Sequence, residues 1–425
     1  MNIVRFPPVA HWDALIKRPV ESNDSIEATV SPILSAIKNN GNEAVVSFIE
    51  KFENRSVESF GVDMKIIENA EMHISNELKT AIDVAYKNIT IFHESQKETI
   101  SKVDTMPGVT CWRKSVPIEK VGIYVPGGSA PLFSTVLMLG VPAQIAGCKE
   151  VVLCSPSDHP AIFYAAKLVG VTKVFRVGGA HAIAAMAYGT DTVPKCYKIF
   201  GPGNQYVTAA KMLVSKEGIP IDMPAGPSEV AIYADDSANP AFVAADLLSQ
   251  AEHGVDSQVI MVTTSEKLIG LVRVELAEQL EALPRKEIAE TSLNNSTFIL
   301  FRSTENCIDF LNEYAAEHLI LSCDNAEDIA EKITNAGSIF LGHLTPESCG
   351  DYASGTNHTL PTNGYARMYS GVSLDSFVKK ITLQRITAEG LNNLGSHVEV
   401  MAENEGLYGH KNAVTVRLEK LASEL

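Results

Sequence analysis

The sequence lacks the features that mark disulfide-stabilised and membrane-spanning proteins. Its seven cysteines are odd in number, scattered and never arranged as Cys-x-x-Cys, so reduced and mostly buried thiols are expected. No stretch is long and uncharged enough for a membrane span. The first residues show no basic region followed by an apolar run, as a secretion signal would. We therefore expect a cytoplasmic protein that has no membrane partner.

Clustered positive charge is also missing. With 35 Lys and Arg against 51 Asp and Glu, the formal net charge is -16. Nucleic acids and anionic membranes select for grouped Lys and Arg, so neither is expected as the main partner. What is present is a chain of 425 residues that is 45% hydrophobic and 20% charged, which is typical of a globular protein. This length exceeds what one hydrophobic core usually supports, so two or more packed units are expected.

The order of apolar segments predicts an α/β fold. Up to about residue 105, apolar positions recur three and four apart, which indicates helices. From Lys120, short apolar strands alternate with helices, which predicts parallel sheets covered on both faces. The alternation breaks near Ser228 and then resumes, and the chain after Ser373 shows short polar helices. We predict two doubly wound, Rossmann-like parallel-sheet domains, divided as follows: a helical lead-in at 1–119 that partly packs on the second domain, a first domain at 120–228, a second domain at 229–372, and a small helical C-terminal tail at 373–425.

Three glycine-rich segments follow predicted strands of the first domain. The first segment begins at Tyr124 and contains Gly127 and Gly128. The second ends at His181, and the third ends at Asn204. None is a G-x-G-x-x-G fingerprint, and a Gly-Gly turn by itself is more often only a turn, so NAD binding does not follow from their spacing. Together they would line one edge of a sheet, where ligands bind in open α/β folds.

Polar residues near helix ends suggest a metal site and an acid–base pair. Gln250 and His253 lie three apart on a predicted helix, where two ligands can hold one metal ion, although the pair taken alone is better explained as a polar surface helix end. Glu317 and His318 fall where a helix gives way to a strand. An acid beside an imidazole suits proton abstraction and water activation, but the two also fit a charge pair that ends a helix.

A long polar segment, 345–361, is rich in Gly, Ser, Thr and Pro, and such segments inside compact domains are usually functional. Within it, Asp351 is a candidate oxygen ligand. His358 alone is better explained as a hydrogen-bonded loop residue than as a ligand. Glu405 and His410 lie in the tail, where an isolated pair would normally be solvated. Because the tail is too short to bury a core of its own, we expect it to dock on its own chain or on another subunit.

A series of segments, in the order in which they occur along the chain, closely resembles the corresponding segments of the histidinol dehydrogenase family. The resemblance runs from about Lys120 to the C-terminus and is weaker in the lead-in. The segments are YVPGGSAPLFSTVLML, VGGAHAIAAMAYGT, KIFGPGN, IDMPAGPSEV, DLLSQAEHG, EHLI, PESCGDYASGTNHTLPT and GHKNAV.

The resemblance implies roles for individual residues. One Zn²⁺ per subunit would be held by Gln250, His253, Asp351 and His410. His318 would be the general base, and Glu317 would help to activate water. The implied substrate contacts are Ser228, Gln250, His253, His318, Asp351, Glu405 and His410. The implied NAD contacts are Tyr124, His181 and Asn204, and His181 departs from the family, which usually has glutamine there; both side chains donate and accept hydrogen bonds.

The implied activity is the NAD-dependent oxidation of L-histidinol through L-histidinaldehyde to L-histidine, the last steps of histidine biosynthesis, with two NAD consumed. The first domain would be the cofactor side and the second would carry the zinc and catalytic residues. The implied assembly is a homodimer in which the partner's tail brings Glu405 and His410 to the site. Two alternatives are a related zinc and NAD dehydrogenase for another small alcohol, and a catalytically silent dimeric binding protein.

Overall fold

The computed structural model describes residues 1–19, 23–127 and 131–423, so Gly128 of the first glycine-rich segment lies outside the described residues. The chain divides into two compact units. The main unit comprises 1–96 and 118–377, and the small unit comprises 97–117 and 378–425. In the described ranges, no helix combines the length and the hydrophobicity needed to cross a membrane. All seven cysteines lie in these ranges, and none is paired.

The strands and helices alternate through most of the chain. The strands are β1 (Asn2–Arg5), β2 (Lys102–Met106), β3 (Val109–Pro117), β4 (Lys120–Tyr124), β5 (Glu150–Cys154), β6 (Lys173–Phe175), β7 (Lys198–Phe200), β8 (Glu229–Ala234), β9 (Gln258–Thr263), β10 (Thr297–Leu300), β11 (His318–Ser322), β12 (Ser338–Leu341) and β13 (Val378–Ile386). The α-helices are α1 (Trp12–Leu15), α2 (Asn23–Glu53, interrupted at Gly41), α3 (Met64–Glu68), α4 (Asn76–Glu94), α5 (Phe133–Ala146), α6 (Pro160–Leu168), α7 (Gly179–Tyr188), α8 (Gln205–Lys216), α9 (Pro240–Ala251), α10 (Glu266–Ala282), α11 (Lys286–Asn294), α12 (Thr304–Tyr314), α13 (Ala326–Ala330), α14 (Glu347–Tyr352), α15 (Ala388–Asn404) and α16 (Tyr408–Ser423).

The first sheet of the main unit is parallel, with the strand order β6-β5-β4-β7. Its central strands are almost wholly apolar because both faces are covered. Helices α5 and α6 are buried in the core on one face, which also takes in α4 of the lead-in. Helices α7, α8 and α2 form the core on the other face. The helical lead-in thus supplies part of the cover of this sheet.

The second sheet of the main unit is also parallel, with the order β1-β10-β9-β8-β11-β12. Every pairing in it is parallel, and strands β8, β9 and β11 are buried along their whole length. Two buried clusters cover its faces, and Trp12 of the lead-in packs edge-on against Phe301 and Phe310 in one of them. The two parallel sheets confirm the predicted α/β, doubly wound fold class.

Strand β1 was not predicted. Its four residues follow directly on the chain start and pair with β10, from Asn2 opposite Thr297 to Arg5 opposite Leu300. Four residues are too few for the alternation of apolar and polar side chains to identify a strand. The pairing partner, almost three hundred residues away, supplies the hydrogen bonds that fix the segment as an edge strand.

The small unit is built from an antiparallel sheet, β13-β3-β2, and helices α15 and α16. The helices agree with the predicted helical tail, but the three strands were not predicted. Most side chains of β2 and β13 are exposed, so these strands carry little apolar periodicity for a sequence to reveal. Helices α15 and α16 pack closely at Gly395, where an added Cβ would lie 2.8 Å from Leu418.

Candidate active site

A cleft of about 950 Å³ opens in the main unit between opposite ends of the two sheets. The first sheet contributes residues that follow the carboxyl ends of its strands, including Pro126 after β4 and Asn204 after β7. The second sheet contributes residues that precede its strands, including Ser228 before β8 and His253 before β9. The cleft therefore brings together residues that the sequence placed in both domains.

Glycine shapes the first-sheet side of this cleft. Gly201 has φ +131°, and an added Cβ there would collide with the carbonyl oxygen of Tyr124, so only glycine lets β4 and the loop after β7 approach this closely. The loop ends at Asn204, whose side-chain oxygen accepts the backbone N–H groups of Tyr206 and Val207, both at 3.1 Å. Asn204 thus caps helix α8 while it lines the cleft.

The other two predicted cofactor contacts, Tyr124 and His181, are buried. The Tyr124 hydroxyl accepts the backbone N–H of Gly179 at 3.0 Å, and burial raises the pKa of this phenol to about 12. His181 Nε2 lies 3.0 Å from Glu53 Oε1, and its ring packs against both Phe48 and Phe52, with ring centroids 6.1 Å apart in each case. In this structure these side chains contact protein groups, and Asn204 is the one of the three that lines the cleft.

Glu317 and His318 occupy the turn from α12 into β11. Ala315 makes this turn possible by adopting a left-handed conformation at the end of α12, with φ +52°. Both site residues are buried, at 6% and 4% exposure. His318 Nε2 lies 3.1 Å from Asp351 Oδ1, and its Nδ1 lies 3.7 Å from Glu317 Oε2 without a hydrogen-bond partner. The result is a row of a carboxyl, an imidazole and a second carboxylate.

The charged groups in this row shift one another's pKa values. Burial raises the pKa of Glu317 to about 7, so its carboxyl titrates near neutral pH. Burial acts to lower the pKa of His318, but the charges of Glu317 and Asp351 outweigh it and raise that pKa to about 10. Burial opposes ionisation of Asp351, yet its hydrogen bond with His318 leaves the pKa of Asp351 below the ordinary value. The group is thus suited to holding and transferring protons.

The His358 side chain contacts the backbone of Asp351 and the side chain of a helix residue. Its Nδ1 lies 2.8 Å from the Asp351 carbonyl oxygen, and its Nε2 lies 3.0 Å from the Thr135 hydroxyl. Both ring nitrogens therefore have protein partners. This geometry agrees with the interpretation of His358 as a hydrogen-bonded loop residue.

Gln250 has a buried side-chain amide that is free to bind a metal ion. Its side chain is 1% exposed, and neither its amide nitrogen nor its oxygen has a hydrogen-bond partner. Leaving such a group unpartnered costs about 1–3 kcal/mol, which a ligand of the amide oxygen would offset. Within the described ranges, no three His, Cys, Asp or Glu side chains are arranged to hold a metal ion, so a site here depends on Gln250.

His253 and Asp351 are the other two side chains of the main unit that the family resemblance assigns to the metal. The His253 imidazole opens on the cleft, yet desolvation by the protein around it lowers its pKa and favours the neutral form that binds metals. The negative charge of Asp351 opposes this effect and acts to raise the pKa of His253. An amide oxygen, a neutral imidazole and a carboxylate suit Zn²⁺, so these residues fit the metal that the family implies.

Glu347 belongs to the site but was not singled out from the sequence. It is 1% exposed, its Oε1 accepts the Ser249 hydroxyl at 2.6 Å, and its Oε2 has no partner. Burial, with the nearby charge of Asp351, raises its pKa to about 8. The signal was its spacing, because Glu347 and Asp351 lie one turn apart on α14 and so share a face.

Glu405 and His410 belong to the small unit and are exposed there. Glu405 directly follows α15, and His410 lies in the first turn of α16. The other predicted site residues all belong to the main unit.

Almost the whole chain is similar to known proteins of one family. The family model described as histidinol dehydrogenase matches residues 16–418. The histidinol dehydrogenase of Bacteroides thetaiotaomicron is 58% identical over 426 residues, covering 99% of this chain and all of that protein. The chloroplastic histidinol dehydrogenase of Arabidopsis thaliana is 52% identical, covering 97% of this chain and 90% of that protein. The crystal structure of histidinol dehydrogenase from Elizabethkingia anophelis superposes with a TM-score of 0.96 at 53% identity, over 99% of both chains.

Proposed function

The chain belongs to the histidinol dehydrogenase family of NAD-dependent oxidoreductases, and from this premise we propose that its cleft oxidises L-histidinol to L-histidine in two hydride transfers. Two NAD would be consumed for each histidinol, and one Zn²⁺ would be bound per subunit. The observations that support this best are the row of Glu317, His318 and Asp351 and the buried, unpartnered amide of Gln250. The row supplies a proton acceptor and a water-activating carboxyl, and Gln250 supplies an amide oxygen that is free to bind a ligand.

In the first transfer, His318 would accept the hydroxyl proton of histidinol as the hydride leaves the carbinol carbon for NAD. This requires a neutral imidazole. Asp351 is one of the charges that raise the pKa of His318, so a cation that shared the charge of Asp351 would lower that pKa toward neutrality. His318 would then titrate in the range where a general base works best.

In the second transfer, water would add to the bound aldehyde and a second hydride would leave the resulting hydrate. Glu317, whose pKa is about 7, would help to remove the water proton, and His318 would take the proton of the hydrate hydroxyl. The products balance as one carboxylate, two NADH and the released protons. Retaining the aldehyde in the cleft between the steps would protect it from side reactions.

The residues that would hold Zn²⁺ are Gln250, His253, Asp351 and His410, and a bound Zn²⁺ would supply positive charge that helps to orient histidinol. Ser228 in the cleft wall and Glu405 would add substrate contacts. Tyr124, His181 and Asn204 would position NAD.

We also propose a homodimer in which the partner's tail completes the site. In the single chain Glu405 and His410 are exposed, as residues that reach a second subunit would be. The cytoplasmic location and the domain boundaries stay predictions.

The test is to mix zinc-loaded protein with L-histidinol and excess NAD and to count the NADH formed per histidinol consumed. The proposal expects about two, with loss of activity on chelation and recovery when Zn²⁺ is returned. A ratio of one would contradict the second transfer. No NADH despite bound zinc would instead favour a dehydrogenase for another small alcohol.

A further inference from the structure

A buried ion pair between Arg18 and Glu229, next to Glu317, joins the lead-in to the second sheet. Arg18 is 8% exposed, and Glu229, the first residue of β8, is fully buried. Arg18 donates from Nε to Glu229 Oε2 at 2.6 Å and from Nη2 to Glu229 Oε1 at 2.9 Å. A paired guanidinium and carboxylate in this fork geometry are held in a fixed orientation.

Glu229 in turn holds Glu317 by two reciprocal hydrogen bonds. The backbone N–H of Glu229 donates to Glu317 Oε2 at 2.9 Å, and the backbone N–H of Glu317 donates to Glu229 Oε1 at 3.3 Å. The oxygen that Glu317 turns toward His318 is the same Oε2. The place of the Glu317 carboxyl therefore depends on the place of the Glu229 backbone and side chain.

Arg18 also fixes the turn that carries Glu317. Its Nη2 donates to the Tyr314 carbonyl oxygen at 2.7 Å, and its guanidinium stacks 3.7 Å from the centre of the Tyr314 ring. Tyr314 is the last residue of α12, directly before the left-handed Ala315. A left-handed conformation is unfavourable for a residue with a Cβ and persists where surrounding contacts impose it.

We propose that Arg18 and Glu229 are positioning residues for Glu317, and that they serve the second hydride transfer more than the first. This inference rests on the proposed function, in which Glu317 activates the water that adds to the aldehyde. His318 is oriented separately by Asp351, at 3.1 Å, and Arg18 makes no hydrogen bond to either residue. The imidazole of His318 is therefore oriented by Asp351, whereas the carboxyl of Glu317 is oriented by the pair of Arg18 and Glu229.

The experiment uses the full-length, zinc-loaded protein and measures the two transfers separately. A rapid single-turnover experiment with histidinol and NAD resolves the first NADH formed, and added histidinaldehyde with NAD reports the second transfer. For Arg18→Lys, which keeps the charge but loses the fork, we expect kcat for the aldehyde to fall about ten- to a hundredfold, within the range of general acid–base effects. The first transfer and the KM for NAD should change less than about threefold, since they rely on other residues.

The matched control is Arg367→Lys. Arg367 also holds the end of α12, donating to the Glu313 carbonyl oxygen and to its carboxylate, but it is exposed and does not contact Glu229. Both transfers should be unchanged in this variant. If Arg18→Lys fails to fold, the double variant Arg18→Met with Glu229→Gln removes both buried charges together, which proteins often tolerate, and should slow the same step.

The outcomes separate the two proposals. A normal second transfer in a folded Arg18 variant, or equal slowing of both transfers, would overturn the positioning role while the wild-type activity stands. Failure of the wild-type protein to oxidise histidinol would overturn the proposed function instead.

Discussion

The two parallel sheets of the main unit are built alike but present opposite ends to the cleft. The first sheet contributes loops at the carboxyl ends of β4 and β7, and these loops act mainly through glycine and backbone groups. The second contributes the amino-terminal ends of its strands and the segments before them. Glu229 and His318 begin β8 and β11, Glu317 directly precedes β11, and Gln250 and His253 precede β9. Strand order alone would not reveal this difference, which lies in the side chains placed at each end.

The difference suggests a division of labour, with NAD held by the first sheet and the chemistry carried out by the second. Buried carboxyl and imidazole groups with strongly shifted pKa values, among them Glu317, His318 and Glu347, accompany the second sheet and the helix after β12. Buried titratable groups in a cleft are candidates for catalysis. Substitutions on the two sides should therefore change different kinetic parameters.

The largest expected effect comes from His318→Asn. Loss of the general base should lower kcat about a hundred- to ten-thousandfold. Bound zinc, measured by elemental analysis, and NAD affinity, measured by titration, should stay near the wild-type values because asparagine leaves Gln250, His253 and the first sheet intact. Near-normal turnover would remove His318 from the mechanism.

Gln250→Leu should have opposite effects on the metal-free and the metal-loaded protein. Removing a buried amide that has no partner should stabilise the metal-free protein by about 1–3 kcal/mol. Zinc should then bind at least about tenfold more weakly, because a ligand has been lost. Denaturant unfolding with and without Zn²⁺ measures both effects. An unchanged zinc-dependent stabilisation would exclude Gln250 as a ligand.

Asp246, one turn before Gln250 on α9, should make the stability of the second-sheet side depend on pH. Burial raises the pKa of Asp246 to about 7, above the value of roughly 4 expected in the unfolded chain. The folded state then binds the proton more tightly, so this contribution to stability falls as pH rises from about 4 to 7 and stays low above it.

Asp246→Asn removes that dependence. The variant should gain about 1–2 kcal/mol relative to wild type at pH 8 and little at pH 4, a figure reduced for the partial exposure of the side chain. Unfolding curves at the two pH values measure the gain. An equal gain at both would show that the carboxyl is ionised normally.

The smallest expected effect lies on the first-sheet side, with Glu53→Gln. Glu53 Oε1 accepts the backbone N–H of Gly178 at 2.9 Å and pairs with His181, so it orders the start of α7. Weakening these bonds should raise the KM for NAD about three- to tenfold, the equivalent of about 1 kcal/mol. The kcat should hold at saturating NAD. A fall in kcat with an unchanged KM for NAD would instead show that Glu53 affects the chemical step rather than NAD binding.

The sequence predicts the features that have a local signal. Apolar runs indicate the buried strands of both sheets, and the spacing of Gln250 and His253 suggests shared ligation. Contacts between distant segments leave no such signal. Arg18 and Glu229 are 211 positions apart, and His181 and Glu53 are 128 apart. The exposed strand β13 shows the same limit, because its pairing with β3 rather than its own pattern makes it a strand.

The division of labour is tested most directly by the crystal structure of the zinc-loaded protein with NAD and L-histidinol, using His318→Asn to prevent turnover. We expect the dinucleotide to lie along the loops after β4 and β7, in contact with Asn204. The carbinol hydroxyl should lie within about 3 Å of the place that the imidazole ring of His318 occupies in the wild-type protein. A dinucleotide bound along the loops of the second sheet, or a hydroxyl directed away from residue 318, would contradict the account.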